Sequence, residues 1–145
     1  DKQGDLTKSI ESMRLVISLE PENAEALNYL GYTYADKGIH LEEAEGLILK
    51  ALVIRPEDGY IVDSLGWVYF KQGRYEKALR ELKRAEGLIP DDPVILEHLG
   101  DAYQKVGTYQ EALKTYKRAM EKAKDQDQAK ISEKIREVEN LLSNR

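Results

Sequence analysis

Two histidines, one short acidic run and three glycine-led dipeptides are the residues of this chain that could do chemistry. His40 and His98 are the only histidines, and no Cys, Asp or Glu accompanies either at a metal-ligand spacing. A lone histidine on a helix is far more often a packing or surface residue than a ligand. Glu42, Glu43 and Glu45 read as an exposed helical run, not as two carboxylates facing one substrate. Gly31-Tyr32, Gly66-Trp67 and Gly100-Asp101 are not phosphate loops, because no strand precedes them. The sequence holds no cysteine, which removes disulfides and thiol-bound metals. We therefore expect no catalytic residue, no metal and no cofactor: the chain reads as non-enzymatic.

What remains is binding, and binding residues need elements to position them. The organising feature is a repeat. Leu30-Gly31 recurs as Leu65-Gly66 and Leu99-Gly100, at steps of 35 and 34 residues. Tyr34, Tyr69 and Tyr103 follow, then Gly38, Gly73 and Gly107. Ala44, Ala78 and Ala112 come next, then Ala51, Ala85 and Ala119, and Pro21, Pro56 and Pro90 punctuate the units. Each slot has a physical reason. The first glycine sits inside a helix and lets a neighbouring helix approach, while Leu and Tyr fill the gap between paired helices. The second glycine ends the first helix in a left-handed conformation. Proline cannot continue a helix and closes the unit. Asn23, Asp58 and Asp92 are N-cap residues, and Pro93 suits a first helical position.

This pattern resembles the tetratricopeptide repeat over nearly the whole chain. The resemblance implies an all-α, right-handed superhelical solenoid of antiparallel helix pairs with a C-terminal capping helix. Three units span 22–56, 57–90 and 91–124, the first with one extra residue in the Gly38-Ile39-His40-Leu41 turn. Residues 5–21 match only the second helix of a truncated repeat, with Ile10, Met13 and Ile17 on one face. Residues 128–143 carry Ile131, Ile135, Val138 and Leu142 at helical spacing, as a cap should. The N-terminal end thus reads as cut from a longer protein, and its open helix face is a candidate for homo-association.

The repeat pattern accounts for Tyr34, Tyr69 and Tyr103, and for Tyr75, Tyr109 and Tyr116 in second helices. Tyr29, Tyr32, Tyr60, Trp67 and Phe70 remain, all on first helices, which in this family line the concave surface. Tyr60, Asp63, Trp67 and Phe70 are spaced three, four and three, so they share one stripe. Glu25, Asn28, Tyr32 and Ala35 are the equivalent stripe one unit earlier; Val94, Glu97, Asp101 and Gln104 follow one unit later. We expect a groove that is aromatic in the middle and acidic around it, with Lys71 and Lys105 at its edge. Its partner-binding residues would be Asn28, Tyr32, Tyr60, Asp63, Trp67, Phe70, Glu97 and Asp101, with Trp67 as the anchor. The competing reading is that the aromatics pad adjacent first helices and that Glu25 and Glu97 are solvated. Some members of the family grip a C-terminal carboxylate with basic residues. Here the corresponding places hold Asn28, Tyr32, Ser64, Val94 and His98, so no such clamp is expected.

A net charge of −5 and pI near 5.2 argue against a nucleic-acid face and permit a basic partner. No apolar run is long enough to span a bilayer. The stretches Asn28-Tyr29-Leu30-Gly31-Tyr32, Gly38 to Ala44 and Asp63-Ser64-Leu65-Gly66-Trp67 are similar to the repeat region of Gram-negative tetratricopeptide lipoproteins of the outer membrane. That resemblance implies a bacterial adaptor in the periplasm or at the outer membrane, a cytoplasmic setting being the alternative. The expected function is a protein or peptide-binding scaffold. The other readings are a self-assembly module and the regulatory arm of a larger enzyme.

Overall fold

A computed structural model describes residues 1–144. These form eight helices: α1 (Lys2–Leu19), α2 (Ala24–Lys37), α3 (Leu41–Ile54), α4 (Gly59–Lys71), α5 (Tyr75–Leu88), α6 (Pro93–Lys105), α7 (Tyr109–Lys122) and α8 (Asp125–Ser143). Each of the three expected units holds one pair, α2 with α3, α4 with α5 and α6 with α7. The first helices α2, α4 and α6 pack side by side, α1 packs on α2, and α8 closes against α7.

Local chemistry sets the boundaries. The side chains of Asn23, Asp58 and Asp92 accept hydrogen bonds from the first-turn amides of α2, α4 and α6. Pro93 opens α6. Gly38, Gly73 and Gly107 have φ of 70°, 81° and 86°, the left-handed turn that separates the two helices of each pair. The extra residue of the first unit is taken up by His40, which is also left-handed (φ 49°) and lays its ring edge-on to Tyr34 at 4.9 Å. The terminal helices are longer than the sequence suggested. Asp1 caps α1, which starts at Lys2, and α8 starts at Asp125 with Asp125 and Asp127 in its first turn.

The core runs along the seam between first and second helices. A Cβ added at Gly31 would lie 2.7 Å from the Ile48 side chain, at Gly66 2.6 Å from Leu82 and at Gly100 2.5 Å from the Tyr116 ring. The helix pairs are therefore as close as an absent side chain permits. Ala44, Ala78 and Ala112 are fully buried in the facing helices. On α8, Ile131 and Val138 are buried, with Ile135 and Leu142 packed beside them. No residue of α1 is fully buried; Ile10, Met13 and Ile17 lie half-buried against the core.

Candidate functional site

A cavity of about 270 Å³ opens between the first helices and the cap. Tyr32 and Asp36 line it from α2, Trp67 from α4, Val94, Glu97, His98 and Asp101 from α6, and Asp127, Lys130 and Lys134 from α8. Helical periodicity explains the set. Tyr32 and Asp36 lie four apart on one face of α2, Val94, His98 and Asp101 share one face of α6, and Lys130 and Lys134 share one face of α8.

Trp67 is part of the wall. It is only 8% exposed, and its indole stacks near-parallel with Phe70 at 4.7 Å and with the His98 imidazole at 4.0 Å. Its N–H donates to Asp36 Oδ1 at 3.2 Å, and Lys71 Nζ sits 5.4 Å from the ring. His98 is itself buried, with Nδ1 2.9 Å from Oδ1 of the buried Asp63. A carboxylate can only accept there, so Nδ1 carries a proton and Nε2 is the nitrogen left to the cavity. On the far wall, Lys134 Nζ donates to Glu97 at 2.6 Å and to Asp101 at 3.0 Å, and Lys130 Nζ lies 3.5 Å from Glu97. The Tyr116 hydroxyl donates to Asp101 at 2.5 Å, and Gln104 Oε1 lies 3.2 Å from the same hydroxyl.

The negative charge around the site raises four groups, Tyr32, Tyr116, His98 and Lys134. Burial raises the Tyr32 phenol, and the charges of Asp36, Asp63 and Glu97 raise it further. Burial also raises Tyr116, with Asp101 next. For His98, burial alone would lower the pKa, but the charge and hydrogen bond of Asp63, with Asp101 and Glu97, more than offset it and the net direction is up. Lys134 is likewise held up by Asp101 and Glu97 against the opposing effect of burial.

Of the eight residues expected to bind, Tyr32, Trp67, Glu97 and Asp101 line the cavity together. Asp63 lies behind it and orients His98; Phe70 backs Trp67. Tyr60 does not line the cavity and stands 55% exposed on α4. Asn28 is half-buried, with a buried Oδ1 that finds no hydrogen-bond partner. Two expectations change. Glu97 is a buried carboxylate held by two lysines, not a solvated one, because α8 folds over it. Trp67 offers little surface, because two stacked rings and an aspartate already occupy it. Of the two lysines placed at the edge, Lys71 is there, whereas Lys105 lies over Tyr75. Residue reasoning missed His98, Asp36, Lys130 and Lys134. A signal existed for some of them. Asp63 and His98 are 35 residues apart, one repeat step, and Lys130 and Lys134 are four apart on the cap.

Comparison with known proteins agrees with this architecture. Residues 1–59 and 95–130 each match a tetratricopeptide-repeat family, and residues 66–107 match a TPR-repeat family. The chain belongs to the tetratricopeptide-repeat family. It is similar to a TPR repeat-containing protein of Pseudomonas aeruginosa, 46% identical over 85 residues. That match covers 59% of this chain and 14% of the relative's length. Among solved structures, a thermophilic TPR protein of Thermus thermophilus superposes with a TM-score of 0.78 at 25% identity, over 94% of this chain and 74% of that one. A MamA protein follows with a TM-score of 0.66 at 26% identity, covering 83% and 65%. Tetratricopeptide repeats serve as protein-interaction scaffolds, and this chain is such a scaffold by fold. Among the described residues no helix is long and apolar enough to cross a membrane.

Proposed function

We propose that the chain is an adaptor segment without chemistry of its own, holding a partner segment along the groove of its first helices. The observation that carries this is a pair of exposed apolar side chains one repeat apart, Tyr60 at 55% on α4 and Val94 at 50% on α6, the second of which lines the cavity. Gly59 and Ile61 beside Tyr60, and Ile95 beside Val94, are buried, so the exposure is particular to this surface. Large aromatics at such places dominate binding energies when a partner covers them. The bacterial setting draws support from the likeness to the Pseudomonas protein, and the adaptor role from the family.

The test is a peptide-display selection on the 145-residue chain, followed by titration of selected peptides against Tyr60→Ser and Val94→Ser. Val53→Ser, at an 84% exposed position on α3, is the control. Groove binding predicts a loss of about tenfold or more for the first two variants. Equal losses for all three would place the site elsewhere. A second reading, self-association through α1, is favoured by Leu15 and Leu19, which are 60% and 73% exposed. Sedimentation equilibrium across a concentration series tests it, and a constant monomer mass would remove it.

A further inference from the structure

Two hydrogen-bond donors in the cavity have no acceptor. The His98 ring is 7% exposed, and its Nδ1 is held by Asp63 at 2.9 Å. Its Nε2 meets no acceptor among the described residues. Burial lowers the ring's pKa, but Asp63, Asp101 and Glu97 more than offset this and hold it above its ordinary 6.5. At that pH and below, most rings therefore carry a proton on Nε2 as well. The second donor is the Tyr32 hydroxyl. It lines the same cavity without a hydrogen-bond partner among the described residues, and its ring centroid lies 6.2 Å from that of His98. Native structures rarely leave a buried donor without an acceptor, and here the acceptor can come only from outside the chain.

Charge decides what kind of acceptor fits. Tyr32 and Asp36 of α2, Asp63 and Trp67 of α4, Glu97 and Asp101 of α6, and Asp127, Lys130 and Lys134 of α8 surround the imidazole. Lys134 is shared by Glu97 and Asp101, Lys130 lies at Glu97, and Lys71 reaches the Asp36 carbonyl at 3.5 Å. An incoming carboxylate would join a crowd of carboxylates. An incoming cation would meet a charged imidazole. A neutral group avoids both, and the Asp127 carboxylate, which has no hydrogen bond or ion pair among the described residues, favours one that also donates. Of the neutral side chains, a carboxamide keeps these roles on separate atoms, with two lone pairs on its oxygen and two N–H groups on its nitrogen. At about 30 Å³ per water, a 270 Å³ cavity displaces roughly nine waters, which is room for such a head and its stem.

We infer that this cavity takes the carboxamide head of a glutamine or asparagine of the bound partner, with His98 Nε2 and the Tyr32 hydroxyl donating to its oxygen and Asp127 accepting from its nitrogen. The inference rests on the groove reading above and adds the chemistry of one subsite.

The experiment titrates the 145-residue chain at about pH 6 with N-acetyl-glutamine methylamide, following the nuclear magnetic resonance signals of the His98 ring and the Trp67 indole N–H. Trp67 is the chain's one tryptophan, so its signal is unambiguous. The norvaline analogue has the same backbone amides and no carboxamide, and the glutamate analogue puts a carboxylate in its place. Saturable shifts with the glutamine compound are expected, half-complete on the order of 10 mM. Both analogues should bind about fivefold more weakly or worse. Tyr32→Phe, which removes only the hydroxyl, and Asp127→Ala should each weaken the glutamine compound about threefold or more. Its affinity should also fall about threefold or more from about pH 6 to about pH 9, as Nε2 loses its proton. Circular dichroism melts of both variants confirm that the fold is kept. No saturable shift by about 100 mM, or equal binding of either analogue, overturns the assignment. So does an affinity that ignores both pH and Tyr32→Phe. Selected peptides that depend on Tyr60 but leave the His98 ring signal unmoved would also overturn it, while leaving the groove intact. Glutamine binding at His98 without any peptide sensitive to Tyr60→Ser keeps the subsite and removes the groove.

Discussion

Replacing Gly100 by alanine would test how the fold holds the site. The new Cβ would lie 2.5 Å from two carbons of the Tyr116 ring and 3.0 Å from a third. That ring cannot step aside. It is fully buried, and its hydroxyl donates to Asp101 at 2.5 Å, with Gln104 Oε1 3.2 Å away. Overpacking of this kind costs about 1–3 kcal/mol. Displacing the hydroxyl from a carboxylate adds about 1.5–3 kcal/mol. Against this, alanine is favoured over glycine inside a helix by about 1 kcal/mol. The net loss is roughly 1.5–5 kcal/mol, and for a chain of this length that lowers the thermal midpoint by roughly 5–15 °C. Gly46 and Gly87 supply the internal control. Both lie inside helices, α3 and α5, with nothing within 4 Å of an added Cβ. There the same substitution has only the propensity gain and should raise the midpoint by about 3 °C. Thermal melts followed by far-ultraviolet circular dichroism decide the matter. If Gly100→Ala melts at or above the parent, the close approach of α6 and α7 is not what that glycine provides, and the packing argument is wrong.

Two further outcomes follow from the buried charges. Lys134→Met leaves the Glu97 and Asp101 carboxylates without their closest cation, so it should cost about 1–3 kcal/mol and loosen α8 first, read as faster amide hydrogen exchange in residues 128–143; unchanged exchange there would show that the lysine does not hold the cap. His98 has a folded pKa raised above its ordinary 6.5, through Asp63, Asp101 and Glu97 acting against burial, so its stabilising contribution is present below about pH 6.5 and is lost as pH rises through the folded value. The parent's melting temperature should therefore fall between about pH 6 and pH 9 relative to that of His98→Gln. Parallel curves for the two proteins would mean that the imidazole does not titrate with folding.

The fold was legible because its determinants repeat. Gly31, Gly66 and Gly100 do the same job three times, as do Asn23, Asp58 and Asp92 at the helix starts. A residue type recurring at one period has a local cause, and a local cause can be read from sequence. The site was legible only in part. The stripe containing Tyr32, Trp67, Glu97 and Asp101 follows from helical spacing, and these four share the cavity. The covering of Glu97 by α8, the pairing of Asp63 with His98 and the double stacking on Trp67 each join residues more than thirty apart or depend on how one helix leans on another. Periodicity fixes which face a residue occupies; it does not fix what the neighbouring helix brings to meet it.

The same contrast locates the specificity of the molecule. At the equivalent concave positions the three units carry Asn28, Asp63 and Glu97, then Tyr29, Ser64 and His98, then Tyr32, Trp67 and Asp101. No residue type recurs in any of these sets, whereas the seam positions recur almost without change. A surface that only solvated the solenoid would tolerate such variety but would not bury it, and Asp63, Glu97 and His98 are buried. Burying three ionisable groups costs free energy unless each finds a partner. The partners come from different helices: Asp63 for His98, and Lys130 and Lys134 of α8 for Glu97. The cap thus supplies two of the charges that line the cavity, so it builds a wall of that cavity as well as closing the last repeat. The free carboxylate of Asp127 stands on that same helix. A solenoid that lost α8 would lose the wall that Asp127, Lys130 and Lys134 provide, and on the proposed reading the recognition chemistry belongs to the junction of α2, α4 and α6 with the cap, not to the repeat as such.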